Sequence, residues 1–514
     1  MNPPKVLLFG STRKDYDPWG DWFWELALEL RDRGWEPVPI APKKVGRQSQ
    51  TLIEPFHFQT FEGFLLGKVQ GQSLEFPDLF RAKSEEIELK RFLLEKKTKE
   101  NIQAAIIHRW QGFPLILPKL LSDLGISTIL LLADAWPLCP RRKLVNRERK
   151  RCESIETDSC VACIGETWKQ RLSPERFPTK GFFGEEVAGK TAMTISLHQR
   201  ALEEMMRCEI ILTPSQRVQR VLQSQGFHRS RVAPLHFPPP AFHTGRSDGE
   251  RQRKGPPRIG FLGDLDPTGG LDILLKAFLG LPKGKAALRL WGSVRSFFGD
   301  LRYPGDVLSK LRPDLDFAYL GPMPAFSAVK AKEAPQPWDR IAEEIDLLVC
   351  PESFGDPTLE IPRRLMERGI PVIAADDSEI TPWIDPGKNG AIFPTGDADE
   401  LRRVLRESLE LLDKEAFSLP EFLASNTIPP SERISDLLSR ILPPLGVPPG
   451  TSYWSPDFQR RFLLEGLPGE TEGGFLHILE WSEGGWTPSC PPRQLMGEEA
   501  LGKSLDTLLG NPSF

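Results

Sequence analysis

Residues 345–376 read IDLLVCPESFGDPTLEIPRRLMERGIPVIAAD. IDLLVC is a short apolar run of the kind a strand buried on both faces requires. LEIPRRLMERG then has the look of a helix, and PVIAAD resumes a strand. Strand, helix and strand at this spacing predict a βαβ unit of a parallel sheet. Between the first strand and the helix stand two carboxylates, Glu352 and Glu360, around a Phe354-Gly355 turn.

The same alternation runs outward in both directions. KVLLFG (5–10), the helix-like DWFWELALELRDRG (21–34) and EPVPIAP form another unit, with Gly34 as a helix C-cap signal. AAIIH (104–108), GFPLILPKLLSDLG, ISTILLLAD (126–134) and CEIILTPS (208–215) continue it. Residues 238–257 carry five prolines and three glycines and few large apolar groups, which predicts a linker or an exposed loop. Beyond it the pattern restarts with PRIGFLG and LDILLKAFLGL and closes with GAIFPTG and DADELRRVLRESLELL.

The expected fold class is α/β: two Rossmann-like domains with parallel sheets facing a cleft. The boundaries expected are 1–240, a linker at 241–256, 257–425, a crossover helix within 426–445, and a C-terminal extension at 446–514 that fits neither sheet. Such sheets bind ligands at the carboxyl ends of their strands.

With 514 residues the chain is long enough for two or three full cores. Its net charge of −4 gives no general reason to expect nucleic acid. No apolar run of membrane-spanning length and no secretory leader is read, and seven cysteines, an odd number, suit a reducing compartment. A cytoplasmic protein is expected.

Glu352 falls at the carboxyl end of a strand and Glu360 near the first turn of the next helix, with Thr358 placed as its N-cap. Backbone N–H groups at a helix start favour phosphate, while carboxylates accept hydrogen bonds from vicinal hydroxyls. A nucleotide-sugar has both parts. The bland alternative is an acid that offsets the helix dipole.

The wider pattern resembles the family 4 glycosyltransferases, retaining enzymes of the two-Rossmann GT-B fold. The resemblance rests on Glu352, Phe354, Gly355, Glu360 and the Gly369-Ile-Pro371-Val-Ile373 step. Asn389-Gly390 and the turn from Pro394 to Asp397 add to it. It implies that Glu360 holds the ribose hydroxyls and Glu352 the donor sugar, and that the turn with Gly355, Asp356 and Thr358 approaches sugar and diphosphate. Asp134 is the second catalytic candidate and His108 an acceptor-side one. The acceptor, whether glycan, lipid-linked or small molecule, is not specified. No metal or other cofactor is implied for the chemistry.

Three positions depart from the family pattern. Asp264 and Gly269 stand where the family usually has Arg and Lys on the diphosphate, and Ala133 stands where it often has His. Lys330, Lys332, Arg363 and Arg364 are candidate replacements for the missing cations. The alternative is a non-catalytic chain of the same fold that binds a sugar, nucleotide or protein partner.

An insert at 139–163 carries Cys139, Cys152, Cys160 and Cys163. Four thiolates have the ligand count of a structural zinc site, and four reduced thiols or a reversible disulfide are the other readings. A subgroup of the same family has a similar insert, with Asp-x-Trp-x-x-Cys-Pro ahead of a Cys cluster. RRKLVNRERKR (141–151) has seven basic residues and one acid, which suits either peripheral contact with an anionic membrane or a solvated loop face. GEEVAGKT (184–191) fits the Walker A expression, but no strand precedes it and Glu185 and Glu186 would oppose a phosphate.

Overall fold

The computed structural model describes residues 3–10, 18–44, 53–58, 61–68, 83–100, 102, 104–110, 112–132, 135–141, 143–172, 175, 177, 179–213, 216–228, 231–234, 255–294, 297, 302–309, 315–322, 337–351, 360–378, 380–414, 417, 434–442, 451–454, 460–465, 474–482, 485–489 and 493–495.

In the first unit the strands are β1 (Lys5–Phe9), β2 (Glu36–Lys44), β3 (Ile53–Phe58), β4 (Phe61–Lys68), β5 (Ala104–Ile107), β6 (Ser127–Leu131), β7 (Ile210–Thr213) and β8 (Val232–Pro234). Their order across the sheet is β3-β4-β2-β1-β5-β6-β7-β8. All neighbours are parallel except the β3–β4 edge hairpin. The chain winds outward from β1 through β2 to β4, then returns to the other side of β1 with β5. That reversal makes β1/β5 the topological switch point. Helices α1 (Pro18–Asp32), α2 (Lys83–Glu100), α3 (Leu117–Asp123), α4 (Thr157–Arg171), α5 (Lys180–Met205) and α6 (Gln216–Ser224) complete the unit. Val6 to Phe9 and Ala104 to Ile107 are fully buried, because helices cover both faces of the sheet and only continuous apolar runs satisfy that. Gly34 ends α1 with φ of 85°, a conformation that favours glycine.

The second unit repeats the plan. Strands β9 (Arg258–Leu262), β10 (Ala287–Trp291), β11 (Phe317–Tyr319), β12 (Leu347–Cys350), β13 (Val372–Ala375) and β14 (Gly390–Phe393) lie in the order β11-β10-β9-β12-β13-β14, all parallel. The switch point is β9/β12. Around the sheet are α7 (Leu271–Leu279), α8 (Tyr303–Leu308), α9 (Pro337–Glu344), α10 (Glu360–Met366) and α11 (Ala398–Asp413), whose N-cap Asp397 accepts from the backbone N–H of Asp399 and Glu400.

Helix α12 (Ile434–Ile441) returns to the first unit and packs on α1 and β6, burying Ile434, Leu437, Leu438 and Ile441. The C-terminal stretch makes a sheet of its own. β15 (Thr451–Trp454), β16 (Arg460–Glu465), β17 (Gly474–Ser482), β18 (Gly485–Pro488) and β19 (Arg493–Leu495) pair antiparallel. Arg461 of β16 ties this sheet down: its guanidinium reaches Glu209 at 2.6 Å and the carbonyl of Leu442 at 2.8 Å. None of the described helices is long and apolar enough to cross a membrane.

Candidate functional site

The carboxyl ends of β1 and β5 form one half of the mouth. β1 runs into Gly10, where a Cβ would stand 2.3 Å from the ring of buried Phe23. Next to it is His108, the acceptor-side candidate. Its backbone N–H donates to Phe9 O at 2.8 Å, and its ring meets Phe23 edge-on with centroids 5.5 Å apart. The imidazole is 2% exposed, and burial pushes its pKa down to about 3. His108 is therefore a neutral imidazole at physiological pH.

The other half lies at β9/β12. After β9 the chain makes a compact turn over 263–270. Asp266 folds the turn on itself, accepting from the backbone N–H of Thr268 at 2.7 Å and from its hydroxyl. Gly269 N–H donates to Asp266 O at 3.2 Å. A Cβ on Gly269 would lie 2.6 Å from the backbone carbonyl oxygen of Asp264, so the turn as built leaves no room for a side chain there. The family-pattern lysine is thus sterically excluded as well as absent.

β12 runs directly into the two-glutamate stretch. Glu352, Phe354, Gly355, Asp356 and Thr358 lie outside the described residues, as do Asp134, Ala133, Lys330 and Lys332. Glu360 is the first residue of α10. On the same helix Arg363 and Arg364 are drawn to Glu367, at 3.4 Å and 3.2 Å, and the Arg364 guanidinium lies 5.4 Å from the Trp338 ring centroid. Arg364 therefore helps to dock α10 on α9. Asn389, 0% exposed, braces the loop before β14, accepting from Asp385 N–H and donating to Trp383 O, each at 2.7 Å.

The basic insert meets the second unit directly. Lys143 stands 3.7 Å from Asp264, and Arg151 bonds Asp377 at 2.7 Å. The Arg141 guanidinium lies over the Phe297 ring at 5.0 Å and that of Arg149 over Tyr303 at 5.4 Å. Four of the seven basic residues of this run, Arg141, Lys143, Arg149 and Arg151, thus face the second unit. The partners of this run are more than a hundred residues away, so local sequence offers only a membrane surface or solvent to face.

A built hairpin presents these cations. Val145 bridges Arg151, Cys152 N–H donates to Leu144 O at 2.7 Å, and the Asn146 carboxamide oxygen accepts from the backbone N–H of Glu148 and Lys150. Arg217 of α6, 1% exposed, anchors its base with bonds to the carbonyls of Leu144 at 2.6 Å and Cys152 at 3.4 Å. The signal in the sequence was an arginine on the apolar face of α6, four residues before buried Val221.

The four insert cysteines also come together. Burial pushes the Cys152 thiol up to about 11 and that of Cys160 up to about 12, and neighbouring thiols add to both shifts. None of the described cysteines is in a disulfide. Among the described residues no group of three or more His, Cys, Asp or Glu side chains is disposed to hold a metal ion. GEEVAGKT lies within the 26-residue helix α5, where no phosphate-cradling loop exists.

No protein-family model and no curated protein matches the chain. Among solved structures it is similar to HepE of Anabaena in complex with UDP, at 15% identity and a TM-score of 0.47 over 82% of this chain and 94% of that one. A sucrose-phosphate synthase of Thermosynechococcus elongatus gives 13% and 0.46 over 82% and 92%. A glycosyltransferase of Rickettsia africae gives 10% and 0.45 over 83% and 97%. At such low values the functional reading rests on this chain's own residues.

Proposed function

We propose that the chain is a glycosyltransferase that moves a sugar from a nucleotide-sugar to an acceptor bound at the β1/β5 mouth, with retention of configuration. One observation carries the reading. β12, a switch-point strand of a doubly wound sheet, runs straight into the stretch whose two glutamates and Phe-Gly turn match a donor-site pattern, and Glu360 opens the following helix. A switch point is where such sheets take nucleotides.

In this reading Glu360 holds the ribose and Glu352 the sugar hydroxyls, because ionised carboxylates are acceptors only and suit vicinal diols. The departing diphosphate is stabilised electrostatically, by donors and cations already in place when charge develops. His108, neutral and buried at the first switch point, helps to shape the acceptor side and carries no charge into it.

Thermal unfolding against UDP, GDP, ADP and their sugar conjugates tests the reading. A ligand at about a hundred times its dissociation constant adds roughly 2.7 kcal/mol to the folded state. A shift with one nucleotide, lost in Glu360→Gln, is expected. No shift with any of them would leave a sugar-site relic in a non-catalytic protein.

A further inference from the structure

The second unit presents an acidic mouth, which is a poor surface for a diphosphate. Asp264 and Asp266 lie in the turn after β9, and Asp376 and Asp377 follow β13. Thr395 draws the last two together, its hydroxyl lying 2.6 Å from Asp376 and also bonded to Asp377. A cation cannot be restored at 269, because the Asp264 carbonyl closes that position. Arg363 and Arg364 are drawn toward Glu367.

The first unit brings positive charge to this edge. Lys143 reaches Asp264, Arg151 reaches Asp377, and the Arg141 guanidinium is close enough to Asp266 to feel its charge. The hairpin between them is fixed at its base by buried Arg217, so the cations arrive on a rigid support.

We infer that the basic insert of the first unit supplies, across the cleft, the cations that hold the donor diphosphate, with Lys143 as the principal contact above the turn between β9 and α7. The inference rests on the donor-site reading above. A lysine ammonium carries three N–H donors in a compact head, so it can keep Asp264 and still donate to phosphate oxygen. Asp264 then has a positioning role: the acid that replaces a cation at this position aims a cation borrowed from the other unit. Arg151 and Asp377 clasp the hairpin's far strand to the same edge. Donor binding and approach of the two units are coupled by this arrangement, because the phosphate site is incomplete until the insert is in place.

The test compares wild type, Lys143→Gln and Lys143→Arg for binding of the nucleoside diphosphate that wild type prefers among UDP, GDP and ADP, of its parent nucleoside, and of inorganic pyrophosphate as competitor. Losing one charge-assisted contact should weaken the diphosphate about 10- to 100-fold. The nucleoside should bind unchanged, Lys143→Arg should recover most of the loss, and pyrophosphate should compete tenfold or more less well in Lys143→Gln. If diphosphate and nucleoside weaken equally in Lys143→Gln, or neither weakens, the inference is overturned while the donor site stands. If wild type binds none of the three diphosphates, the donor-site reading fails and the inference with it.

Discussion

The two switch points of the molecule share one topology and differ in the groups described around them. Each belongs to a sheet that winds outward from its first strand and then reverses, so each has a turn after that strand beside the strand that follows the reversal. At the end of β1 the described groups are apolar or neutral, with Phe23 against Gly10 and His108 buried alongside. After β9 the turn is acidic and is met from the other unit by Lys143 at Asp264 and by Arg141, close enough to Asp266 to feel its charge. Strand order places a site. The side chains packed at the strand ends decide what chemistry each site offers.

Acid should separate the two mouths most strongly. His108 and His198 are both buried with pKa values pushed down to about 3, against about 6.5 in the unfolded chain. The unfolded chain therefore binds the extra protons between those values. The stability due to neutral burial is complete above about pH 6.5 and is lost as pH falls toward 3, by up to tenfold in the folding constant per pH unit per histidine. Urea midpoints of wild type and His108→Gln at pH 7.5 and 5.0 measure it. The wild type should lose about 10- to 30-fold more folding constant than the variant over that interval. Equal losses would mean that His108 titrates normally and that the first mouth is wetter than its packing indicates.

A methyl group probes the same contrast sterically. Gly10→Ala would press on the Phe23 ring at 2.3 Å, and Gly269→Ala on the Asp264 carbonyl at 2.6 Å. Overpacking of this kind costs about 1–3 kcal/mol. A buried ring can tilt, whereas the Asp264 carbonyl belongs to a turn closed by its own hydrogen bonds. Gly269→Ala should therefore lower nucleoside diphosphate binding as well as stability, and Gly10→Ala stability alone. Denaturation and ligand titration on the same samples separate these effects. A Gly269→Ala protein of wild-type stability would show that the turn has room for the lysine it lacks.

The strand–helix alternation was legible in the sequence because strands buried on both faces must be continuous apolar runs, and KVLLF, AAII, LLVC and VIAA can be little else. Gly34 was legible for its conformation. The β3–β4 hairpin was not, since an edge pair carries a weaker pattern than a buried strand. The C-terminal sheet could be excluded from the two units but not built, because antiparallel register depends on partners that composition does not identify. The proposed site was legible only as a motif. The two-glutamate stretch shows itself as a motif, whereas Lys143 facing Asp264 and Arg217 beneath the hairpin are tertiary facts, and a charged residue in sequence reads first as surface.

The smallest expected effect concerns the clasp between the mouths. Arg151 and Asp377 bond at 2.7 Å with side chains 25% and 14% exposed, so water and salt screen the pair in part. Such pairs contribute at most about 1 kcal/mol, near fivefold in an opening equilibrium. Asp377→Asn should leave global stability nearly unchanged and speed hydrogen exchange at the hairpin amides of Asn146 and Cys152, which donate within the hairpin. The acceleration should be a few-fold at low salt and shrink at 1 M salt, where the Debye length is about 3 Å. Unchanged exchange at low salt would show that the hairpin is held without this pair, by Arg217 beneath it and by the ring contacts of Arg141 and Arg149. Acceleration that persists at high salt would instead assign the hold to hydrogen-bond geometry, since salt weakens attraction between charges far more than it weakens a directed bond at contact.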